Sequence, residues 1–306
     1  MYDVIIIGGG PAGLTAGLYT SRARLKSLLI EKGFLGGQVM TTEWIENYPG
    51  FEDGISGVEL SQKMEKQATK FGLEIMQGSV TGVSLDGKTK KVKLEDGSEL
   101  EAKSIILATG SNPKPLSIKG EEEFRGRGVS YCATCDAAFF KESDLAVIGG
   151  GDSAVEEGIF LTKFAKTVYI VHRRDQLRAT KVVQERAFEN PKIKMVWDSV
   201  PEEIVGDATG VTSLKIKNVK TGEVSELKVQ GVFIYIGYNP NIDPVKDIIT
   251  INESNYAVAN ENMATSGNGI FAAGDVRAKP LKQIATAVGD GATAAISAEK
   301  YIEENF

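Results

Sequence analysis

The chain has little of what several protein classes require. It contains one histidine and two cysteines among 306 residues, and those cysteines, Cys132 and Cys135, stand three positions apart. That spacing is no secreted disulfide framework. No run approaches the roughly 18 apolar residues that a membrane helix needs, so no membrane partner is expected. There is no excess of positive charge either: 35 Lys and Arg face 41 Asp and Glu, a net charge of −6. A nucleic-acid partner would demand a strong local basic patch against that balance, and none is expected. The N-terminus lacks a basic n-region and a cleavage site, since Asp3 leads straight into Val4-Ile5-Ile6-Ile7 and then glycines. No secretory signal is read there. With 42% apolar, 25% charged and 8% aromatic residues the composition is that of a folded globular chain. At roughly 150 residues per domain, the length predicts two domains. The expectation is a cytoplasmic, two-domain protein.

What the chain does have is glycine, 34 residues of it, placed in a repeat. Tyr2 to Lys32 reads YDVIIIGGGPAGLTAGLYTSRARLKSLLIEK, and Asp144 to Arg173 reads DLAVIGGGDSAVEEGIFLTKFAKTVYIVHR. Each runs from a β-branched strand through three glycines into an amphipathic helix of about four turns, then a second apolar strand. Gly8 and Gly149 are 141 positions apart, and so are Glu31 and His172. The pattern is two copies of one βαβ nucleotide-binding unit. The first copy carries Gly8-x-Gly10-x-x-Gly13, with Pro11 and Ala12 inside it. The second carries Gly149-x-Gly151-x-x-Ala154, with Asp152 and Ser153 inside it. The first glycine permits the tight turn, the second lets backbone N–H groups approach a pyrophosphate, and the small third residue lets helix and strand pack closely. One such triplet would fit any tight turn; two at a constant offset in strand–turn–helix context fit nucleotides.

The ends of the second strands separate the ligands. Glu31 suits a ribose diol, as in FAD or NAD. His172-Arg173-Arg174, with Arg178 four residues on, suits a ribose 2′-phosphate, which guanidinium groups grip bidentately. Copy two therefore reads as an NADPH site, with a solvated charged turn as the bland alternative. Ser104 to Asn112 is a further strand, ending near Thr109-Gly110, and Gly269 to Asp275 another, ending in Gly274-Asp275; a helix follows over Gln283 to Glu299. Gly231 to Pro240, through Gly237, closes the second nucleotide domain. Pro-bearing stretches at 112–115 and 239–244 mark the crossings. The predicted fold is α/β: two Rossmann-like nucleotide-binding domains, with an NADPH domain (115–244) inserted into a discontinuous FAD domain (1–114 and 245–306).

Cys132 and Cys135 lie in Tyr131-Cys132-Ala133-Thr134-Cys135-Asp136, just before the second repeat. Zinc normally takes four ligands, and with no further cysteine and the one histidine in the phosphate cluster, no metal is expected. The spacing suits a redox disulfide on the first turn of a helix; two buried reduced cysteines are the alternative. Asp136 reads either as a helix-start residue or as the proton donor that thiol exchange needs.

Over essentially its whole length the sequence resembles the bacterial-type, low-molecular-weight thioredoxin reductases, through GGGPAG, LGGQ, ENYPG, ATG, GRGVSYCATCD, GGGDSAVEE, HRRDQLRA and GIFAAGD. CATCD together with HRRxxxR is the specific part. The resemblance implies a homodimer with noncovalent FAD, passing electrons from NADPH through FAD to a disulfide and on to thioredoxin. By position it implies that Glu31, Gly36, Gly37, Gln38, Asn47, Asp275, Val276, Gln283 and Ile284 contact FAD. It also implies that Cys135 faces the flavin, Cys132 exchanges with thioredoxin and Asp136 is the acid. Lys282 departs from the family's frequent Arg. Phe139-Phe140 resembles an aromatic pair at the partner-docking surface and equally suits core packing. Reduction of another disulfide partner and a flavin redox-sensor role are the alternatives. Peroxide-linked relatives usually carry an extra N-terminal thioredoxin-like domain, whereas Met1 here precedes the first strand directly. With dithiol and nicotinamide expected on one domain and flavin on the other, the inserted domain is expected to swing about Ser111–Pro115 and Tyr238–Pro244.

Overall fold

Alternating β-branched runs and amphipathic helices set both halves of the molecule. A computed structural model describes residues 1–42 and 44–306 and divides into two compact units, Met1–Asn112 with Asn239–Phe306, and Pro113–Tyr238. The return to the first unit occurs at Asn239 rather than after Pro244, because the intervening residues are tied into it. Asn241 N–H donates to Gly110 O at 3.0 Å, and Thr109 Oγ1 donates to Asn241 O at 2.6 Å. Val83 N–H likewise donates to Pro244 O at 2.8 Å.

The first unit runs β1 (Tyr2–Ile7), α1 (Pro11–Arg22), β2 (Ser27–Glu31), α2 (Gly57–Thr69), β3 (Glu74–Gln77), β4 (Val80–Asp86), β5 (Thr89–Leu94) and β6 (Glu99–Leu107). Its sheet order is β3-β2-β1-β6-β5-β4. Val4 to Ile7 of β1 are buried on both faces, the mark of a central parallel strand. β1 pairs in parallel with β2 and with β6, while β4 and β5 add an antiparallel edge. The chain leaves through β7 (Ser111–Pro113).

The second unit runs β8 (Val129–Ser130), α3 (Ala133–Asp136), β9 (Asp144–Ile148), α4 (Asp152–Leu161), β10 (Thr167–Val171), α5 (Lys181–Glu189), β11 (Ile193–Val196), β12 (Ser199–Asp207), β13 (Gly210–Asn218), β14 (Val224–Lys228) and β15 (Gly231–Ile234). A parallel sheet, β11-β10-β9-β15-β8, takes Val155, Leu161 and Val183 against one face. A three-stranded antiparallel sheet, β12-β13-β14, packs Leu214 and Ile216 against the other. The chain returns through β16 (Tyr238–Pro240), adds β17 (Ile270–Ala272) beside β6, and ends in α6 (Ile284–Asn305). There Ala294 and Ala298 pack with Leu14 and Ala16 of α1. A Cβ at Gly291 would collide with the Ala12 carbonyl, so that glycine sets how closely the two helices approach.

Both repeat helices stop short of four turns, α1 after 12 residues and α4 after 10. In α4 the Thr162 hydroxyl turns back to Ile159 O at 2.6 Å and closes the last turn. No helix among the described residues is long and apolar enough to cross a membrane.

Candidate active site

In the first unit the strand–glycine–helix turn is built for close packing with one open face. Gly8 sits at φ +108°, where side chains are disfavoured, and a Cβ there would strike the Ala108 carbonyl. A Cβ at Gly13 would strike Gly8 O, whereas one at Gly10 would meet nothing within 4 Å. Gly8 and Gly13 therefore hold the turn together, and the open face at Gly10 is where a pyrophosphate fits, against the N-terminus that begins at Pro11 and Ala12. At the end of β2 the Glu31 carboxylate accepts Gly9 N–H at 2.6 Å and Gly33 N–H at 2.8 Å. A cleft of about 480 Å³ opens beside it, lined by Glu31, Phe34, Leu35, Met40 and Gln77 among others.

Remote segments converge on this turn. Gly36 N–H donates to Gly9 O at 2.7 Å, and a Cβ at Gly37 would lie 3.4 Å from Gly10 Cα. Gln38 Nε2 donates to Ser111 O at 3.3 Å, next to Thr109 and Gly110. Asn47 Nδ2 donates to Gln283 Oε1 at 3.1 Å; Gln283 caps α6, and Ile284 is its first residue. Gly274 N–H donates to Asp290 Oδ2 at 3.0 Å, and Asp290 is pinned by Arg277 at 3.2 Å and Lys279 at 2.8 Å. Asp275 follows, ahead of buried Val276. Burial raises the pKa of its carboxyl despite the opposing lysines 279 and 282. Its Oδ1 is buried with no hydrogen-bond partner among the described residues. Lys279 Nζ stands 3.9 Å from that oxygen, an ion pair without a hydrogen bond, so the acceptor still fits a ligand hydroxyl or N–H.

The second unit repeats the turn. Gly149 sits at φ +151°, and a Cβ there would strike the Tyr235 carbonyl and approach the Ala154 methyl to 2.6 Å; at Gly151 it would meet nothing. Asp152 Oδ1 accepts Thr180 N–H at 2.6 Å, and Arg178 N–H donates to Gly150 O at 2.6 Å, so the arginine loop is laced to the turn. Ser153 is exposed, as is Gly237 at φ +119°. Arg173, Arg174 and Arg178 are exposed and uncommitted to any carboxylate among the described residues. His172 is placed differently. Its ring is buried beneath Gly150, where an added Cβ would lie 2.5 Å from ring atoms, and its Nε2 has no partner among the described residues. Burial, then Arg178, Arg173 and Arg174, hold its pKa below the ordinary value. The imidazole is a neutral support under the turn, and the exposed positive charge belongs to the three arginines.

Cys132 and Cys135 form a disulfide, with Cα atoms 5.4 Å apart. Cys132 caps α3, its Sγ accepting Cys135 N–H at 3.2 Å. Cys135 is exposed, while Cys132 and Asp136 are half-buried. Three residues absent from the sequence motifs' expected roles hold this segment. Ser130 Oγ accepts Cys132 N–H at 3.0 Å, and Tyr235 Oη accepts Ala133 N–H at 2.8 Å. Buried Glu121 accepts Leu116 N–H at 2.8 Å and the Tyr131 hydroxyl. Burial first, then the charge of Glu157, pushes the Tyr235 phenol well up, so it stays protonated. The aromatic pair splits: Phe140 packs edge-on against Phe233 at 5.5 Å, while Phe139 is 83% exposed. No cluster of three His, Cys, Asp or Glu side chains suited to a metal ion occurs among the described residues.

The model of the family "Pyridine nucleotide-disulphide oxidoreductase" matches residues 2–291. A thioredoxin reductase of Bacillus subtilis (strain 168) is 52% identical over 304 residues, covering 99% of this chain and 96% of that protein. The solved thioredoxin reductase of Lactococcus lactis is 52% identical and superposes with a TM-score of 0.97, covering 99% of this chain and 100% of the other. That of Streptococcus pyogenes MGAS5005 is 51% identical, covers 99% of each chain and superposes with a TM-score of 0.67.

Proposed function

The chain belongs to the pyridine nucleotide-disulphide oxidoreductase family, and on that premise we propose that it is an NADPH-dependent, FAD-containing reductase of thioredoxin. The observation that carries this reading is the Cys132–Cys135 disulfide on the same unit as the second glycine turn and its arginines. The resemblance adds a homodimer, and two cysteines only three positions apart, unlike a secreted disulfide framework, support a cytoplasmic setting.

Each half has the donor set its nucleotide needs. The open face at Gly10 and the start of α1 would receive the FAD pyrophosphate, Glu31 the ribose diol and Asp275 Oδ1, which accepts no hydrogen bond among the described residues, a further ligand hydroxyl or N–H. Gly36, Gly37, Gln38, Asn47, Thr109, Gly110, Gly274, Val276, Gln283 and Ile284 would line the remainder. In the second unit, Gly149 to Ala154 would take the NADPH pyrophosphate, with Gly237 beside it, and the three arginines would take the 2′-phosphate. When bound, FAD supplies the two-electron couple between nicotinamide and disulfide.

The chain's own residues perform the exchange with the partner. Reduced Cys132, as thiolate, attacks one sulfur of the thioredoxin disulfide; that bond breaks, and a mixed disulfide forms. Cys135 then attacks Cys132 Sγ, releases the thioredoxin sulfur held in the mixed disulfide and restores the Cys132–Cys135 bond. The departing thiolate needs a proton, and Asp136, adjacent to Cys135, is the carboxyl at hand.

Nicotinamide site and disulfide share one unit while the FAD turn lies in the other, so both must take turns at one flavin. We infer a rotation of residues 113–238 about the crossings β7 and β16. Domain motions of this kind run on microsecond-to-millisecond times and often limit turnover.

The purified protein should be yellow, release one FAD per chain with acid, and oxidise NADPH when oxidised thioredoxin is supplied. Release of FMN would overturn the reading of the first unit. NADPH oxidation with other oxidised disulfide proteins but not with thioredoxin would overturn the choice of partner.

A further inference from the structure

Tyr235 lies in the segment 231–240 that closes the second nucleotide domain, has no part in the glycine, arginine or cysteine motifs, and yet touches both the glycine turn and the dithiol. It follows β15, and its N–H donates to Ile148 O at 2.8 Å, extending the strand pairing to the edge of the glycine turn. Its carbonyl is the atom that a Cβ at Gly149 would strike. Its side chain reaches the other way, and the hydroxyl accepts the N–H of Ala133, 102 residues distant in sequence, at 2.8 Å.

Ala133 is the first residue of α3, directly between Cys132 and the turn that carries Cys135. The N–H of a first helical residue has no partner inside its helix. Nor can the capping side chain serve it, because a cap accepts from the second or third residue, as Cys132 Sγ does from Cys135. The Tyr235 hydroxyl is therefore what satisfies it. That hydroxyl is a neutral acceptor: burial, Glu157 of α4, Asp136 of α3 and Tyr238 of β16 all favour its protonated form.

We propose that Tyr235 is a positioning residue for thiol exchange: by holding the Ala133 N–H it fixes the first turn of α3, so that the Cys135 N–H stays on Cys132 Sγ. The inference rests on the disulfide relay described above. In the oxidised protein this contact is a weak N–H to sulfur bond. After two-electron reduction the same N–H faces the Cys132 sulfur, and a hydrogen bond to the charged form favours the thiolate. Losing the Tyr235 hydroxyl strands the Ala133 N–H, loosens the turn and raises the thiol pKa of Cys132. The attacking thiolate becomes scarcer at neutral pH.

The test uses holoenzyme reduced by excess NADPH without oxygen, with iodoacetamide alkylation of Cys132 followed by peptide mass spectrometry between about pH 5 and 9, since only the thiolate reacts. Tyr235→Phe keeps the ring and removes only the hydroxyl. Its alkylation rate at neutral pH should fall about three- to tenfold, the size of one ordinary hydrogen bond. The profile should move up by about half to one pH unit. Ala133→Pro cuts the same bond from the donor side. Proline is tolerated at the first helical position, and Cys132, at φ −143° and ψ 100°, already has the extended backbone that precedes proline. It should shift the profile in the same direction, and the double variant should add nothing further. Superimposable profiles in the single variants, or additive shifts in the double, would overturn the role of Tyr235. If NADPH fails to make Cys132 alkylatable in the unmodified protein, the relay fails and this inference with it.

Discussion

Replacing either Cys132 or Cys135 by serine should abolish thioredoxin reduction while NADPH still bleaches the bound flavin. The disulfide is the sole one in the chain, and both cysteines belong to it. Without Cys132 no mixed disulfide can form with the partner. Without Cys135 nothing resolves it, and the mixed disulfide should persist long enough to isolate. A serine hydroxyl replaces neither, because it is hardly ionised at neutral pH. The donor sets for both nucleotides contain neither sulfur, so reduction of the flavin by NADPH should survive. With Cys132→Ser, Cys135 remains, and by the family resemblance its thiolate beside the flavin should add a long-wavelength absorption band. Stopped-flow bleaching at the flavin band, run alongside steady-state turnover, separates the two activities. Normal partner turnover in either variant would sink the relay.

The second large effect concerns the choice between NADPH and NADH. Arg173 and Arg174 are exposed beside the second glycine turn and uncommitted to carboxylates among the described residues. A charge-assisted hydrogen bond contributes about 1.5–3 kcal/mol, so losing two should weaken NADPH roughly 100-fold or more. The paired change Arg173→Ala with Arg174→Ala should leave NADH, which lacks the 2′-phosphate, nearly unaffected. Titration of both nucleotides into wild type and variant at fixed ionic strength reads this directly, since salt screens exposed charges. Equal losses for both would show that the arginines hold the loop rather than the phosphate.

The parts of the site that were legible in sequence are those whose chemistry is local. A glycine turn announces itself because strand, glycines and helix are consecutive, and both copies fold as the 141-residue offset suggests. The disulfide likewise needs only a short spacing. His172 shows where such reading stops. It adjoins two arginines in sequence, yet its ring is buried under Gly150, while Arg173 and Arg174 lie in the bend that follows β10 and are exposed. Contacts between distant residues left no mark at all: Asn47 meets Gln283 across 236 positions, and Tyr235 meets Ala133 across 102. Nothing in either local stretch calls for the other. The antiparallel strands β4–β5 and β12–β14 carry no ligand motif and serve the fold by covering sheet edges and faces. The two phenylalanines after the dithiol became distinguishable only through packing, with Phe140 against Phe233 and Phe139 left outside.

In the proposed mechanism one unit delivers both the nicotinamide and the dithiol to a flavin held by the other, by turning about β7 and β16. An engineered cross-link between the units, verified by mass spectrometry, tests it when each half-reaction is followed by stopped flow. The locked protein should keep one half-reaction, either flavin bleaching by NADPH or electron transfer to the Cys132–Cys135 disulfide, and lose the other, recovering both when the link is cleaved. Undiminished steady-state turnover in the fully cross-linked protein would contradict it.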